Sequence, residues 1–467
     1  MLRSIRTVTA IAMCSWGVPL LYAQPGSSAT VAIGQTGARV DAALKMLEAQ
    51  GMSGAFLVAK SGDVILQKGY GFANRQAKLA FTPGIVTQIG SCTKDFTAVA
   101  ILQLAARGKL SLDDHLTRWF PTAPADKRDI TVAQLMDHTA GFEEYSGGDF
   151  APVTRDQFVT HMLASKLRSP VGAEEHYSNP GYGLLAVIIE MVSHTSYDEY
   201  VRDNILKPLG LKDTGYLLPK FNLARVSHGY DANSDNGTIL EKPHAADGPY
   251  WNLRGNGGMV STVGDMYRFY EALFTGEKLV AFNARHGRFP PDQPLGLAGS
   301  DGTHFFLYER DPRAGVSYII ATNNAAFKGP RVRVPIAQAL GLEGGGRPRS
   351  ETKGSSSGPA TLPSTAAGTA FAKYMAAFNS GDTTVMAKFF TEEFAPNPQA
   401  PPTAQRIANY RRMYGNLGAI KPLTIDGADD SHITVTTRNT DGDEVTIEVA
   451  VEPTGAHRIV SLRITAH

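Results

Sequence analysis

Residues 344–369 read GGGRPRSETKGSSSGPATLPSTAAGT, a run of Gly, Ser, Pro and Thr with little side chain to bury in any core. A chain interrupted in this way cannot close over one continuous core, so this linker predicts separate units on its two sides. The length of 467 residues leaves room for them. Inside the run, Gly354-Ser355-Ser356-Ser357-Gly358 matches the G-x-S-x-G spacing of a nucleophile elbow. That motif requires a strand before it and a helix after it, and neither is legible there.

Upstream of the linker, two hairpin signals bracket a long helical stretch. SGAFLVAKSGDVILQKGYGFAN (53–74) holds two apolar runs joined by Ser61-Gly62-Asp63, and THFFLYERDPRAGVSYIIATNN (303–324) repeats the pattern around Asp311-Pro312-Arg313-Ala314-Gly315. Between them, helical patterns are expected at 92–107, 132–138, 155–166, 181–194, 197–205 and 261–274. Strands at both ends with helices between them predict the α+β class: one antiparallel sheet with flanking helices and an all-helical insertion. Downstream, residues 370–467 show two short helices, a helical 403–415, and alternating strands HITVTTRN, EVTIEVAVE and HRIVSLRIT. This pattern predicts a second, small α+β domain and resembles the cone-like nuclear-transport-factor-like fold. It contains no catalytic dyad, which suits an accessory module or one through which the chain oligomerises.

The first 23 residues read as a signal peptide. Arg3 and Arg6 precede the apolar TVTAIAMCSWGVPLLYA, which ends at Ala23. A secreted or periplasmic protein is expected, with no membrane span left after cleavage, because no later stretch is long and apolar enough. Removing Cys14 with the signal leaves Cys92 as the only thiol, so no internal disulfide can form. Cys92 reads as a packing residue rather than a nucleophile. A net charge of +1 gives no electrostatic reason to expect nucleic acid as a partner.

IGSCTKDFTA (89–98) places Ser91 three residues ahead of Lys94. Serine is a preferred helix cap, and that reading alone accounts for an isolated S-x-x-K. A catalytic reading is equally physical. A serine hydroxyl needs a base to become a nucleophile, and a lysine one turn later can be that base once burial has made it neutral. The amide of Ser91, at a helix start, would then donate to a developing oxyanion.

The surrounding segments decide between them. TQIGSCTKDFTAVAILQLAARGKLSLDD (87–114), ITVAQLMDHTAGF (130–142), VGAEEHYSNPGYGLLAVIIEMVS (171–193) and GNGGMVSTVGDMYRFYEALFTG (255–276) together resemble the penicillin-recognising serine hydrolases, the group of class C β-lactamases, D,D-peptidases and esterases. The resemblance runs through about residues 36–343, with the segments in family order. It implies a Ser91 acyl-enzyme, Lys94 as proton acceptor, Tyr177 of Tyr177-Ser178-Asn179 as proton relay in phenol or phenolate form, and Asn179 holding Lys94 and the substrate. His138 is expected to be a structural histidine that packs its loop. The family's third motif, Lys-Thr-Gly or His-x-Gly, aligns with Leu297-Ala298-Gly299, which keeps the glycine and loses the cation. Ser300 would supply the second oxyanion-hole amide. Arg254 or His304 are the candidates to replace the missing charge.

The substrate implied is a small-molecule acyl compound without a carboxylate, an ester or small amide. A true β-lactamase or D,D-peptidase is the alternative within enzymes, and a pseudo-enzyme that binds cell-wall fragments or a protein is the alternative outside them. No His-Glu-x-x-His, P-loop or dinucleotide fingerprint is present, so no metal and no cofactor are expected.

Overall fold

The computed structural model describes residues 30–217, 220–231, 234–342, 362–396, 402–439 and 444–466. Residues 1–23, read above as a signal peptide, and the Gly354–Gly358 match lie outside them. The described residues form two compact units, the first running to Lys328 and including Pro335–Leu342, the second made of the remainder.

In chain order the first unit uses β1 (Val31–Ala32), α1 (Gly34–Ala49), β2 (Gly54–Lys60), β3 (Asp63–Tyr70), β4 (Thr87–Gln88), α2 (Thr93–Ala106), α3 (Asn179–Ser193), β5 (Val260–Ser261), α4 (Val263–Thr275), β6 (Leu295–Ser300), β7 (Phe305–Asp311) and β8 (Val316–Thr322). The sheet order is β1-β3-β2-β8-β7-β6, and every pairing is antiparallel. Both predicted hairpins form. Ser61 and Gly62 take φ of 53° and 85°, the left-handed pair that a tight two-residue hairpin loop requires. At the other hairpin, Asp311 Oδ1 accepts from the amides of Arg313 (2.9 Å) and Ala314 (3.1 Å), which closes the turn before Val316.

Helix α2 is the spine of this unit. Its sequence TKDFTAVAILQLAA has no polar face, and Phe96, Val99, Ile101 and Leu102 are fully buried. A helix apolar all round has to sit inside a domain, because each large side chain contributes about 1.5–3 kcal/mol only when it leaves water. Phe96 stacks on Phe269 of α4 at 4.0 Å between centroids, and Tyr270 of α4 stacks on Tyr308 of β7 at 4.1 Å. Tyr270 also donates to Asp95 Oδ2 (2.8 Å). Helix α2 is thereby held between the helical insertion and the sheet, with its N-terminus at the open edge strand β6.

The second unit contains α5 (Ala366–Asn379), α6 (Thr383–Glu392), α7 (Thr403–Leu417) and a meander of β9 (Ile420–Ala428), β10 (His432–Asn439), β11 (Glu444–Val451) and β12 (Ile459–Ala466). Phe371, Tyr374 and Phe378 of α5 pack with Val435 and Ile447 of the sheet. Two boundaries differ from the sequence reading. Helix α5 begins inside the expected linker, because the Thr365 side chain caps it by accepting from Gly368 N (3.0 Å). Strand β9 has no regular alternation to mark it in the sequence, and its ladder is shifted at Pro422/Thr424 and at Ile425/Gly427. An edge strand tolerates that Pro422, which has no amide to pair.

Candidate active site

Ser91 is not a helix cap. It lies in a 3₁₀ turn over Gly90–Cys92 ahead of α2, and no side chain caps either helix start. Gly90 enters that turn at φ 52°. The Ser91 hydroxyl is therefore free of the backbone, and two other side chains converge on it. Tyr177 OH donates to Ser91 Oγ at 2.6 Å, and Lys94 Nζ lies 3.2 Å from the same oxygen.

Lys94 is 5% exposed. Its Nζ also donates to Asn179 Oδ1 (2.7 Å) and to the carbonyl of Asn256 (2.8 Å). Burial, the largest influence, lowers its pKa to about 7, against the opposing pull of Asp95 and the carboxylates of Asp149 and Glu144. Two of its hydrogen-bonding directions are thus committed to acceptors, and the third faces the serine. Tyr177 is 42% exposed as a whole residue, but desolvation around its hydroxyl in the cleft raises the phenol above its ordinary value, which keeps the phenol form at neutral pH. This narrows the open choice that the sequence left.

Tyr177 and Asn179 flank the cap of α3. Ser178 Oγ accepts from Gly181 N (3.2 Å) and donates to the carbonyl of Glu143 (3.0 Å), while Asn179 N donates to the carbonyl of Glu144 (3.0 Å). Pro180 in the first turn presets the helix. His138 packs as expected: its Nδ1 accepts from Ser178 N (3.1 Å), and its ring lies 4.6 Å from that of Tyr177. Burial first, then the charges of Lys94 and Arg288, lower its pKa to about 4, so it supports the tyrosine as a neutral ring.

The Asn256 carbonyl that accepts from Lys94 is not legible in the sequence, since a backbone oxygen leaves no residue-type signal. Asn256 Nδ2 donates to the carbonyl of Asn252 (3.0 Å), and Thr97 Oγ1 donates to the carbonyl of Gly255 (2.6 Å), which fixes the turn.

Leu297-Ala298-Gly299 lies on β6, directly against the nucleophile turn. A Cβ on Gly299 would come 2.1 Å from Ile89 O and 2.5 Å from Ser91 N; one on Gly90 would come 2.4 Å from Ser300 N. The amides of Ser91 and Ser300 therefore border one small space. Cys92 is fully buried, burial pushes its thiol up, and it approaches the Leu297 carbonyl (3.7 Å), which suits a packing residue. Gly299→Ala should force β6 away from the turn and lower turnover by about 100-fold or more. Steady-state kinetics checks this, with circular dichroism confirming that the fold persists.

Neither candidate for the lost cation is available. Arg254 is buried, bidentate to Asp247 (3.0 and 2.8 Å), and donates to the Pro249 carbonyl (3.1 Å). His304 is buried between Asp301 Oδ2 (3.0 Å) and Ser227 Oγ (3.1 Å). Among the described residues no group of His, Cys, Asp and Glu is arranged to hold a metal, and no helix is long and apolar enough to cross a membrane.

This fold, with Ser91, Lys94 and Tyr177 brought together, is of the kind expected for the penicillin-recognising class. Residues 40–353 match the Beta-lactamase family model, and the chain belongs to that family. Penicillin-binding protein 4* of Bacillus subtilis is 27% identical over 254 residues, which cover 51% of this chain and 56% of that protein; the chain thus spans little more than half the length of this relative. Among solved structures, FmtA of Staphylococcus aureus superposes with a TM-score of 0.59 at 20% identity, covering 71% of this chain and 97% of that one. The D-amino acid amidase of Ochrobactrum anthropi SV3 gives a TM-score of 0.56 at 22% identity, covering 66% and 98%.

Proposed function

We propose that the first unit hydrolyses esters or small amides through an acyl-enzyme on Ser91. The observation that carries this is the convergence of Lys94 Nζ and Tyr177 OH on one uncapped hydroxyl. In its neutral form Lys94 has two N–H bonds, which suit Asn179 Oδ1 and Asn256 O, and a lone pair left for the Ser91 proton. Ser91 Oγ attacks the carbonyl carbon as its proton moves to Lys94. The oxyanion forms between the amides of Ser91 and Ser300. Tyr177, as phenol, protonates the leaving alcohol or amine and is refilled from Lys94. Water then attacks the acyl-enzyme by the reverse proton path and releases the acid.

The electrostatics favour an acyl group without a carboxylate. Arg254 and His304 are engaged, and the nearby carboxylates of Asp149 and Glu144 act on Lys94 with the opposite sign. A missing charge-assisted contact is worth about 1.5–3 kcal/mol. Turnover of p-nitrophenyl butyrate should therefore exceed that of nitrocefin by about tenfold or more in kcat/KM. Comparable rates would favour a β-lactamase, and a wild type that neither turns over ester nor is labelled by a fluorophosphonate would leave only the binding role of a pseudo-enzyme. For the second unit, three helices ahead of a four-stranded meander support the cone-like accessory fold. Export to the periplasm or medium rests on the signal-like residues 1–23.

A further inference from the structure

A serine–histidine–aspartate series lies just behind the proposed oxyanion hole. Asp301 Oδ2 lies 3.0 Å from His304 Nδ1, His304 Nε2 lies 3.1 Å from Ser227 Oγ, and Ser227 Oγ donates to Thr87 Oγ1 (3.0 Å). It has the order of a catalytic triad, yet Ser227 and His304 are only 1% and 3% exposed, so no substrate carbonyl reaches the serine. Its two ends explain it better. At one end, Asp301 Oδ1 accepts from the amides of Thr303 (2.8 Å) and His304 (2.6 Å), and Ser300 Oγ donates to the His304 carbonyl (2.7 Å). This turn follows directly on the Ser300 amide. At the other end, Thr87 lies on β4, the short strand that leads through Ile89 into the Ser91 turn. Gly229 makes room for the link, because a Cβ there would come 2.2 Å from Thr303 Oγ1 and 2.8 Å from His304 Cε1.

We propose that His304, gripped by Asp301 and Ser227, is a positioning residue that sets the Ser300 amide opposite the Ser91 amide and so fixes the width of the oxyanion hole. It adds a side-chain link between the two segments that carry the hole's donors, the end of β6 and the entry to α2, which otherwise meet through close backbone packing and the Cys92 approach to the Leu297 carbonyl. Edge strand β6 has a partner on only one side, β7, so its end has no further strand to hold it against the nucleophile. The side-chain series supplies that restraint. His304 thus acts where the family's third-motif residue is lost, by geometry rather than by charge. The inference rests on the acyl-enzyme reading of Ser91.

The test compares wild type with His304→Gln and Ser227→Ala, the second being a smaller change at the far end of the link. Active sites are titrated with a fluorophosphonate, so that rates refer to folded enzyme only. An amide displaced in the hole is felt in the transition state, so kcat per titrated site for p-nitrophenyl butyrate should fall about tenfold or more in His304→Gln with KM little changed. Ser227→Ala should fall in the same direction by less. The rate ratio between an ester and its thionoester, whose larger sulfur fits a well-set hole poorly, should shift toward one in both variants. Loss of folding alone leaves that ratio and the rate per titrated site at wild-type values, and either result would overturn the inference. Turnover that survives Ser91→Ala would instead remove the acyl-enzyme reading itself.

Discussion

Ester turnover should fall by about 10⁴-fold or more in Ser91→Ala, with no loss of folded protein. The size follows from what meets at the hydroxyl. Lys94 Nζ at 3.2 Å and Tyr177 OH at 2.6 Å have their shared target in Ser91 Oγ, so removing it disables all three groups together. What remains, the two oxyanion-hole amides and substrate binding, accounts for a modest residual rate over water. Stability should hold because the hydroxyl caps no helix and the 3₁₀ turn depends on Gly90, at φ 52°, and on backbone bonds. Labelling by a fluorophosphonate should vanish in parallel. A variant that keeps more than about a hundredth of wild-type kcat would show that another group carries the reaction.

The contrast between Ser91 and its neighbours shows how far the sequence reached. The two hairpins, the helical insertion and the spine α2 were legible, since each follows from local pattern: turn residues at 61–62 and 311–315, and an apolar run with no polar face. Ser91 and Lys94 could be proposed as a pair from their spacing together with the family resemblance of the surrounding segments, and Tyr177 and Asn179 from that resemblance alone; the structure brings the four together. That Ser91 caps no helix was not legible, because whether a hydroxyl turns to the backbone or to the cleft depends on Gly90 and on β6, two hundred residues away in the chain. The Asn256 carbonyl and the amide of Ser300 belong to the same class. Main-chain donors and acceptors act by position, and position is a property of the packed fold. Arg254 and His304 illustrate the reverse error: both carry the wanted charge type, yet partners at Asp247, Asp301 and Ser227 occupy them.

Replacing Lys94 by methionine should lower kcat about 10²–10⁴-fold, the range for loss of a general base, and should also abolish a specific pH response. Burial brings the pKa of this amine down to about 7. The neutral, proton-accepting form accumulates as pH rises through that value, so wild-type acylation should climb between about pH 6 and pH 8. In Lys94→Met the residual rate should be flat over the same interval. Stability carries the same signature with a defined sign. The unfolded chain holds the lysine proton up to its ordinary value of 10.5, whereas the folded protein has released it above about 7. Within that window the unfolded state binds more protons, so each pH unit upward stabilises the fold by up to about 1.4 kcal/mol from this group. Below the window the full penalty of burying an ammonium applies. Lys94→Met removes this dependence while leaving every other titrating residue in place. The difference in unfolding free energy, wild type minus variant, should therefore grow from pH 7 to pH 10, as chemical denaturation at each pH would show. A constant difference, together with a wild-type rate that ignores pH near 7, would mean that Lys94 stays an ammonium and that the proton leaves Ser91 by another route, with Tyr177 the next residue to replace.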